Sequence, residues 1–163
     1  MLRQEEIANI MDAQWGDFQQ ADIGFPREAL LQIPIAPSFA TIITGIRRSG
    51  KSTLLLQILR QKYETAVYLH FEDIRLAAFD TGDFVRLHQE ITRRNIKVLF
   101  FDEIQLIKGW ELYVNQLLRE HYTVLITGSN ASMLSVEMGT HLTGRHLSVE
   151  LFPFFLPRVH SIS

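Results

Sequence analysis

The chain has 163 residues, a formal net charge of −2 and an isoelectric point near 6.3. This length suits one compact domain, and the charge excludes a uniformly basic nucleic-acid binder, although a local patch such as Arg93-Arg94 stays open. The absence of cysteine excludes disulfides and thiolate metal sites. All apolar runs are shorter than the roughly 20 residues of a membrane helix, and the first residues lack a signal-peptide pattern. We therefore expect a cytoplasmic protein that has no membrane partner.

Short apolar runs alternate with helical patterns along the chain, which is typical of βα units around a parallel sheet. In chain order, the predicted elements are helices over 2–20 and 29–33, a strand over 39–44, a helix over 51–63, a strand over 66–71, a helix over 83–94, a strand over 96–101, a helix over 110–120, and strands over 123–127 and 146–151. Asp83 is predicted to cap the helix that it begins. We expect residues 1–38 to form a helical segment that packs on a core formed by 39–163.

The first predicted strand leads into GIRRSGKST, which fits the phosphate-loop pattern G-x-x-x-x-G-K-[S/T]. Its glycines let backbone N–H groups turn toward phosphate oxygens, and the helix that follows presents its positive end there. The candidate nucleotide ligands are Gly45, Ile46, Arg47, Arg48, Ser49, Gly50, Lys51, Ser52 and Thr53. Lys51 is expected to reach the β- and γ-phosphates, and the Ser52 hydroxyl to bind Mg²⁺. The alternative is a glycine turn with solvated arginines, which the strand before the motif and the helix after it disfavour.

Two carboxylates end the third predicted strand, in the segment KVLFFDEIQ. Ligands of an open α/β sheet bind at the carboxyl edge of the strands, and successive side chains at a strand end point in different directions. We expect Asp102 to hold the Mg²⁺ and Glu103 to orient and polarise an attacking water. The alternative is a solvated acidic pair that follows a core strand.

Polar residues also follow the fourth predicted strand, in the segment VLITGSNAS. If the strands are parallel, these residues reach the same edge of the sheet as the carboxylates. Asn130 is our first choice for a contact with the γ-phosphate or the attacking water, and Ser129 the second. Alternatively, either residue caps the next helix.

Five segments, GIRRSGKST, YLHFEDIRL, LFFDEIQLIKGWE, LITGSNASML and HLTGRHLSVELFPF, stand in the order found in one family. Over roughly residues 27–155 the chain resembles predicted AAA-type P-loop ATPases. The resemblance implies a three-layer α/β/α fold with a mostly parallel sheet of about five strands in the order 5-1-4-3-2. It also implies that ATP and Mg²⁺ bind between the ends of the first and third strands, that Asp102 and Glu103 are the acidic hydrolysis motif, and that the TGSN segment is the sensor. The segment Glu72-Asp73-Ile74-Arg75 matches as well, and we expect a polar loop there.

Two features near the C-terminus depend on the same resemblance. The family's Gly-Arg element corresponds to Gly144-Arg145, where the arginine either contacts a γ-phosphate, in its own chain or in a neighbouring subunit, or pairs with a carboxylate or positions the last strand. Family members usually continue into a helical lid and a further domain, whereas this sequence stops after LFPFFLPRVHSIS. We therefore expect a core that lacks both, with an apolar patch at Phe152, Phe154, Phe155 and Leu156. The expected partners are ATP or ADP, the missing portion or a partner protein, and a second copy of the chain; nucleic acid is unproven.

The function that we expect is a Mg²⁺-dependent ATPase core that converts ATP to ADP and phosphate. The expected catalytic residues are Lys51, Glu103, Asn130 and Arg145. The first alternative is a nucleotide-dependent switch or interaction module with little or no hydrolysis. The second is a small-molecule kinase, for which Arg145 and Arg158 make a poor lid.

Overall fold

A computed structural model of the chain describes residues 1–24, 33–46, 50–129 and 145–151, and the backbone of 158–162. In chain order, its helices and strands are α1 (Gln4–Gln20), β1 (Ala40–Thr44), α2 (Lys51–Lys62), β2 (Val67–His70), α3 (Asp83–Arg94), β3 (Val98–Asp102), α4 (Trp110–Arg119), β4 (Thr123–Gly128), β5 (His146–Glu150) and β6 (Arg158–Ile162). Single 3₁₀ turns, Ile74–Leu76 and Ile104–Leu106, follow β2 and β3. The predicted helix over 29–33 lies outside the described residues except for its last position.

The six strands that the structure describes form one sheet in the order β2-β3-β4-β1-β5-β6. The strands from β2 to β5 are parallel, and β6 pairs antiparallel to β5. This order of the parallel strands is 5-1-4-3-2 read from the opposite edge, so the predicted fold class is confirmed. The sequence does not predict β6, because a five-residue edge strand with two β-branched residues carries a weak pattern.

Neighbouring residues of the central strands point to opposite faces of the sheet, and both faces are covered by helices. Phe101 of β3 packs in one cluster with Ile10 of α1 and Leu117 of α4. The preceding residue, Phe100, packs on the other face with Leu55 of α2. The fold is therefore a three-layer α/β/α sandwich. Burial on both faces explains why the strands read as nearly continuous apolar runs.

The N-terminal helix α1 shares a core with the sheet. Its apolar face packs against α3 and β2, and the residues that it buries in this cluster are Ile7, Ile10 and Met11. The predicted division into a segment 1–38 and a core 39–163 stays a prediction. Within the described part of the chain, no helix has both the length and the apolar character needed to cross a bilayer.

Polar contacts also fix α1 against α3. Gln4 donates a hydrogen bond to Glu90 at 3.2 Å, and the Arg94 guanidinium donates to Asp12 at 2.8 Å. Arg93 and Arg94 both pair with the buried Glu90 carboxylate. Of these two arginines, which the sequence left open as a basic patch, Arg94 therefore serves the packing of α3 on α1, whereas Arg93 pairs within α3.

Asp83 does not cap α3 in the predicted way. The helix begins at this residue, so the N-cap position belongs to Gly82, which has no side chain that could cap it. The Asp83 carboxylate is wholly buried and accepts hydrogen bonds from the backbone N–H groups of Leu2 and Asp80, each at 2.9 Å. It also pairs with Arg86. The carboxylate thereby fastens the start of the chain to the loop before α3.

The buried Glu90 predicts an acid-sensitive contribution to stability. Hydrogen bonds from Arg93, opposed by burial and reinforced by Arg94 and Gln4, lower the pKa of Glu90 to about 2. Because this pKa is lower in the folded than in the unfolded chain, the ionised carboxylate stabilises the fold above about pH 5 and loses this effect as the pH falls toward 2. We expect the difference in unfolding free energy between the wild type and Glu90→Gln, measured by chemical denaturation, to shrink over that interval.

The exposed Glu5→Gln on α1 is the matched control, and its difference from the wild type should stay nearly constant. A Glu90→Gln difference that is the same at pH 7 and at pH 2.5 contradicts the assignment.

Candidate functional site

A cleft of about 290 Å³ opens at the carboxyl edge of the parallel strands. Its walls come from the start of α2, from the last residue of β2 and from residues that follow β2, β3 and β4. The lining residues are Gly50, Lys51, Ser52, Thr53, His70, Glu72, Glu103 and Ser129. The cleft thus brings the end of the predicted phosphate loop next to one of the two predicted carboxylates, at the edge where open α/β sheets bind ligands.

The phosphate loop is described at both of its ends. Gly50 adopts a left-handed conformation with a φ of 92°, which glycine accepts without a Cβ penalty. The next residue begins α2, so the unpaired N–H groups of the first helical turn are available at the cleft. Gly45 and Ile46 follow β1. The three residues of the motif that lie outside the described part of the chain are Arg47, Arg48 and Ser49.

Lys51 lies in the floor of the cleft and is only 4% exposed. Its ammonium donates a hydrogen bond to the Ile46 carbonyl at 3.1 Å and lies 3.9 Å from the Glu103 Oε1 atom. Both charges of this pair are buried, so each compensates a desolvation that would otherwise oppose the ionised form of the other. The cation of the loop and a carboxylate of the acidic pair are therefore in contact.

Asp102 is fully buried beneath the cleft. Thr127 donates a hydrogen bond to Oδ1, and the Tyr68 hydroxyl donates to Oδ2 at 2.9 Å. The Nδ1 atom of His70 lies 3.2 Å from Oδ2, off the axis of a hydrogen bond. The Ser52 hydroxyl, on the first turn of α2, also interacts with this carboxylate and helps to lower its pKa. Groups from α2, β2 and β4 thus converge on Asp102.

These contacts keep Asp102 ionised. Burial by itself raises the pKa of a carboxyl group, but here the surrounding groups outweigh burial, and the pKa of Asp102 lies below its ordinary value. The groups that lower it are His70, Thr127 and Ser52. The same contact with Asp102, against an opposing effect of burial, raises the pKa of His70. A negative charge is therefore held next to the first turn of α2.

Glu103 turns the chain sharply after β3. Its φ of 58° lies in the left-handed region, which is unfavourable for a residue with a side chain. The surroundings hold this conformation: the backbone N–H donates to Thr127 Oγ1 at 3.0 Å, and Ser129 Oγ donates to Oε1 at 2.6 Å. Gln105 donates to Oε2. As a result, Glu103 faces the cleft while the preceding Asp102 stays beneath it.

The polar residues after β4 contribute differently from what the sequence predicts. Ser129, the second choice, contacts Glu103 through both its hydroxyl and its backbone N–H. Thr127, inside the strand, bonds to Asp102 and to the N–H of Glu103. Asn130, the first choice, lies outside the described residues, and its role stays a prediction.

The catalytic role of Arg145 stays a prediction, and the position of this residue bears on its alternatives. It directly precedes β5, and its carbonyl accepts a hydrogen bond from Ala40 at the start of β1. The phosphate loop follows the other end of β1, about 16 Å away for a strand of five residues. The exposed Arg145 side chain therefore cannot contact a phosphate bound in the cleft of its own chain. Its backbone contact agrees with the alternative in which this residue positions the last parallel strand.

A family model described as an AAA domain matches residues 38–158. The chain belongs to this AAA domain family. An uncharacterized protein of Methanocaldococcus jannaschii is 35% identical over 127 residues, covering 76% of this chain and 28% of that protein. A second relative, from Haemophilus influenzae, is 40% identical over 125 residues, covering 71% and 31%. The AAA domain thus spans less than a third of the length of these relatives.

Solved structures show the same fold. The flagellar accessory protein FlaH of M. jannaschii has a TM-score of 0.53 and 14% identity, with 86% of this chain and 87% of that chain covered. A KaiC-like protein of Pyrococcus horikoshii OT3 has a TM-score of 0.55 and 14% identity, with 87% and 88% covered. The AAA domain therefore has the P-loop NTPase fold, which supports nucleotide binding.

Two residues that contact the acidic pair of this AAA domain were missed by sequence reasoning. Tyr68 and His70 lie on β2, and His70 is in register with Asp102 of β3. The predicted strand order already places the second strand beside the third. The polar His70 at the end of the second strand could therefore have been recognised as a neighbour of Asp102. The expected polar loop after β2 is a 3₁₀ turn, where the Asp73 carboxylate accepts from the N–H of Arg75 at 2.9 Å.

The position of Thr127 in this AAA domain predicts that replacing its hydroxyl by a methyl group destabilises the fold. Thr127→Val keeps the shape of the side chain but leaves a buried carboxylate and a buried N–H each without one partner. We expect the unfolding free energy, measured by denaturant titration, to fall by about 1–3 kcal/mol, the usual effect of leaving a buried polar group unpaired.

Thr123→Val, at the opposite end of β4, is the matched control and should change stability by less than Thr127→Val. Equal effects of the two substitutions contradict a bridging role for the Thr127 hydroxyl.

Proposed function

We propose that this AAA domain is the core of a Mg²⁺-dependent ATPase that hydrolyses ATP to ADP and phosphate. One observation carries the proposal: in a single cleft, the lysine that begins α2 faces a buried pair of carboxylates. Lys51 is 3.9 Å from Glu103, and the hydroxyl of the next residue, Ser52, is one of the groups that lower the pKa of Asp102. A loop that only closes a turn does not require two buried acids at this distance.

The proposed nucleotide contacts are those of the phosphate loop, residues 45–53. Phosphate oxygens accept hydrogen bonds from the N–H groups at the start of α2, where the helix dipole favours negative charge. Lys51 exchanges its present contacts, with Glu103 and the Ile46 carbonyl, for the β- and γ-phosphates. The triphosphate thereby supplies a stronger negative partner for a lysine that is already buried.

Ser52 and Asp102 fit a Mg²⁺ ion because a hydroxyl and an ionised carboxylate lie together at the cleft. Among the described residues, no group of three or more histidine and acidic side chains is arranged to hold a metal. Mg²⁺ commonly takes one or two protein carboxylates and completes its coordination with phosphate and water. When bound, the ion neutralises the charge that develops on the transferred phosphoryl group.

In the proposed reaction, Glu103 orients a water molecule toward the γ-phosphorus and takes up its proton. The water oxygen forms a bond to phosphorus, the bond to the bridging oxygen breaks, and ADP leaves with that electron pair. Ser129 and Gln105 hold the Glu103 carboxylate at the cleft. Asn130 is a further proposed contact of the γ-phosphate, and Arg145 is proposed to act only on the site of a neighbouring copy.

A nucleotide-dependent switch is the second candidate, and the contacts of Glu103 favour it. Both carboxylate oxygens accept hydrogen bonds, and Lys51 lies beside one of them, so hydrolysis requires a rearrangement at this residue.

The relatives are more than three times longer than the region that matches this chain. The process that hydrolysis drives is therefore a property that we assign to a whole protein of that kind and not to the AAA domain. We propose a cytoplasmic location, where ATP is available, and contacts with the rest of such a protein or with a second copy.

Lys51→Ala tests the binding site. Hydrogen bonds to charged groups contribute roughly 1.5–3 kcal/mol each, so we expect ATP affinity, measured by calorimetry, to fall by about 10- to 100-fold. Lys62→Ala, at the other end of α2, removes an equal charge away from the cleft and should bind ATP like the wild type. Unchanged affinity of Lys51→Ala, in a variant that unfolds cooperatively, contradicts the assignment.

Glu103→Gln tests the chemistry. The amide keeps an acceptor for Ser129 but cannot take a proton from water, so we expect kcat for phosphate release to fall by about 10²- to 10⁴-fold while ATP affinity is retained. The exposed Glu64→Gln is the control. Tight binding without turnover in the wild type supports the switch instead. Transfer of the phosphate to a small molecule supports a kinase.

A further inference from the structure

A glutamine of the N-terminal helix is bonded to the edge of the sheet next to the cleft. Gln14 of α1 is 3% exposed. Its Oε1 atom accepts a hydrogen bond from the His70 N–H at 2.8 Å, and its Nε2 atom donates to the His70 carbonyl at 3.1 Å. The same amide donates to Asp73 at 3.1 Å. Because β2 is the edge strand of the sheet that the structure describes, the backbone N–H and C=O of its last residue, His70, have no further strand of that sheet to pair with. Gln14 bonds to both groups, as a neighbouring strand would.

The residue bonded in this way is the one that contacts Asp102. The His70 ring lines the cleft, and its Nδ1 atom lies 3.2 Å from Asp102 Oδ2. A path of direct contacts therefore runs from the Gln14 amide to the His70 backbone, then through its ring to the buried carboxylate. Side chains that orient a metal-binding carboxylate affect metal affinity although they do not contact the metal.

We propose that Gln14 is a positioning residue of the phosphate site, which holds the His70 ring against Asp102 and thereby sets the orientation of this carboxylate toward Mg²⁺. This inference rests on the proposed function. It makes α1 a part of the site, although the helix contributes no side chain to the cleft wall described above.

The docking of α1 does not itself need this amide. Apolar packing of the helix against α3 and β2, the Gln4–Glu90 hydrogen bond and the Arg94–Asp12 ion pair already hold the helix in place. A buried amide on an apolar face is unfavourable unless its hydrogen bonds are made, and here both its oxygen and its nitrogen are bonded to one residue of the site. Gln14 thus fixes the backbone of His70 more closely than apolar packing could.

A double-mutant cycle between Gln14→Met and His70→Ala tests the path, with ATP affinity measured by calorimetry with and without Mg²⁺. Methionine keeps the length of the side chain and removes its hydrogen bonds. We expect Gln14→Met to bind Mg²⁺-free ATP like the wild type. The factor by which Mg²⁺ raises ATP affinity should be about tenfold smaller in this variant than in the wild type. This is the lower end of the loss that follows when a residue that orients a metal ligand is changed. Adding Gln14→Met to His70→Ala should cause no further loss, because the two residues act in series.

Gln57→Met is the matched control, since Gln57 is a buried glutamine of α2 that donates to the Ile23 carbonyl at 2.7 Å, away from His70. It should lower stability and leave the effect of Mg²⁺ unchanged. The proposal is overturned if Gln57→Met matches Gln14→Met, or if the losses from Gln14→Met and His70→Ala add fully.

The proposed function fails separately from this inference. A wild type that binds Mg²⁺ and ATP without hydrolysis contradicts the ATPase, and the binding cycle still decides the role of Gln14. A wild type that binds no nucleotide contradicts both. As a structural readout, hydrogen exchange of the His70 amide should be faster in Gln14→Met than in the wild type or Gln57→Met, and equal rates contradict the hydrogen bond on which the path depends.

Discussion

The burial of two adjacent carboxylates is the constraint on which the rest of this structure depends. Asp102 is fully buried and Glu103 is 6% exposed. Removing an ionised carboxylate from water costs several kcal/mol unless hydrogen bonds and opposite charges replace the solvent. Around Asp102 the replacement comes largely from neighbouring strands, and around Glu103 from Lys51 and Ser129. Because each of these groups is itself buried or half-buried, the loss of one leaves another without a partner.

The strand order makes this compensation possible. Since β3 lies between β2 and β4, donors can approach the acids from both sides, and the left-handed turn at Glu103 separates the two carboxylates by depth. Thr127 connects the two levels, because its hydroxyl serves the Asp102 side chain and the Glu103 backbone together. The Thr127 hydroxyl therefore both holds the strained turn at Glu103 in place and helps to keep Asp102 ionised. One geometry thus supports both the fold and the proposed chemistry.

The sequence predicts the parts of this site that lie on one segment of chain, and misses those that depend on packing. The parallel sheet and the proximity of Lys51 to Glu103 follow from the motifs and from the carboxyl-edge rule, and the strand order follows from the resemblance to AAA-type ATPases. Tyr68 was missed because no local pattern marks a hydroxyl that reaches across to a neighbouring strand. Gln14 could not be found, because a polar residue in an amphipathic helix is expected to face water. The role of Arg145 was left open, because a motif gives chain order but not the end of the strand at which a residue stands.

The Lys51–Glu103 pair explains how one arrangement serves stability and the proposed function in turn. Breaking a buried ion pair by removing a partner is strongly destabilising, since the remaining charge is left uncompensated. In the proposed complex, a triphosphate at the start of α2 presents several negative oxygens to Lys51. The positive charge of Lys51 therefore stays compensated when Glu103 moves away. Both oxygens of Glu103 accept hydrogen bonds, from Ser129 and Gln105, so the proposed hydrolysis also requires this carboxylate to rearrange toward a water. The proposed nucleotide is therefore a partner that lets Lys51 separate from Glu103 without leaving the buried lysine charge uncompensated.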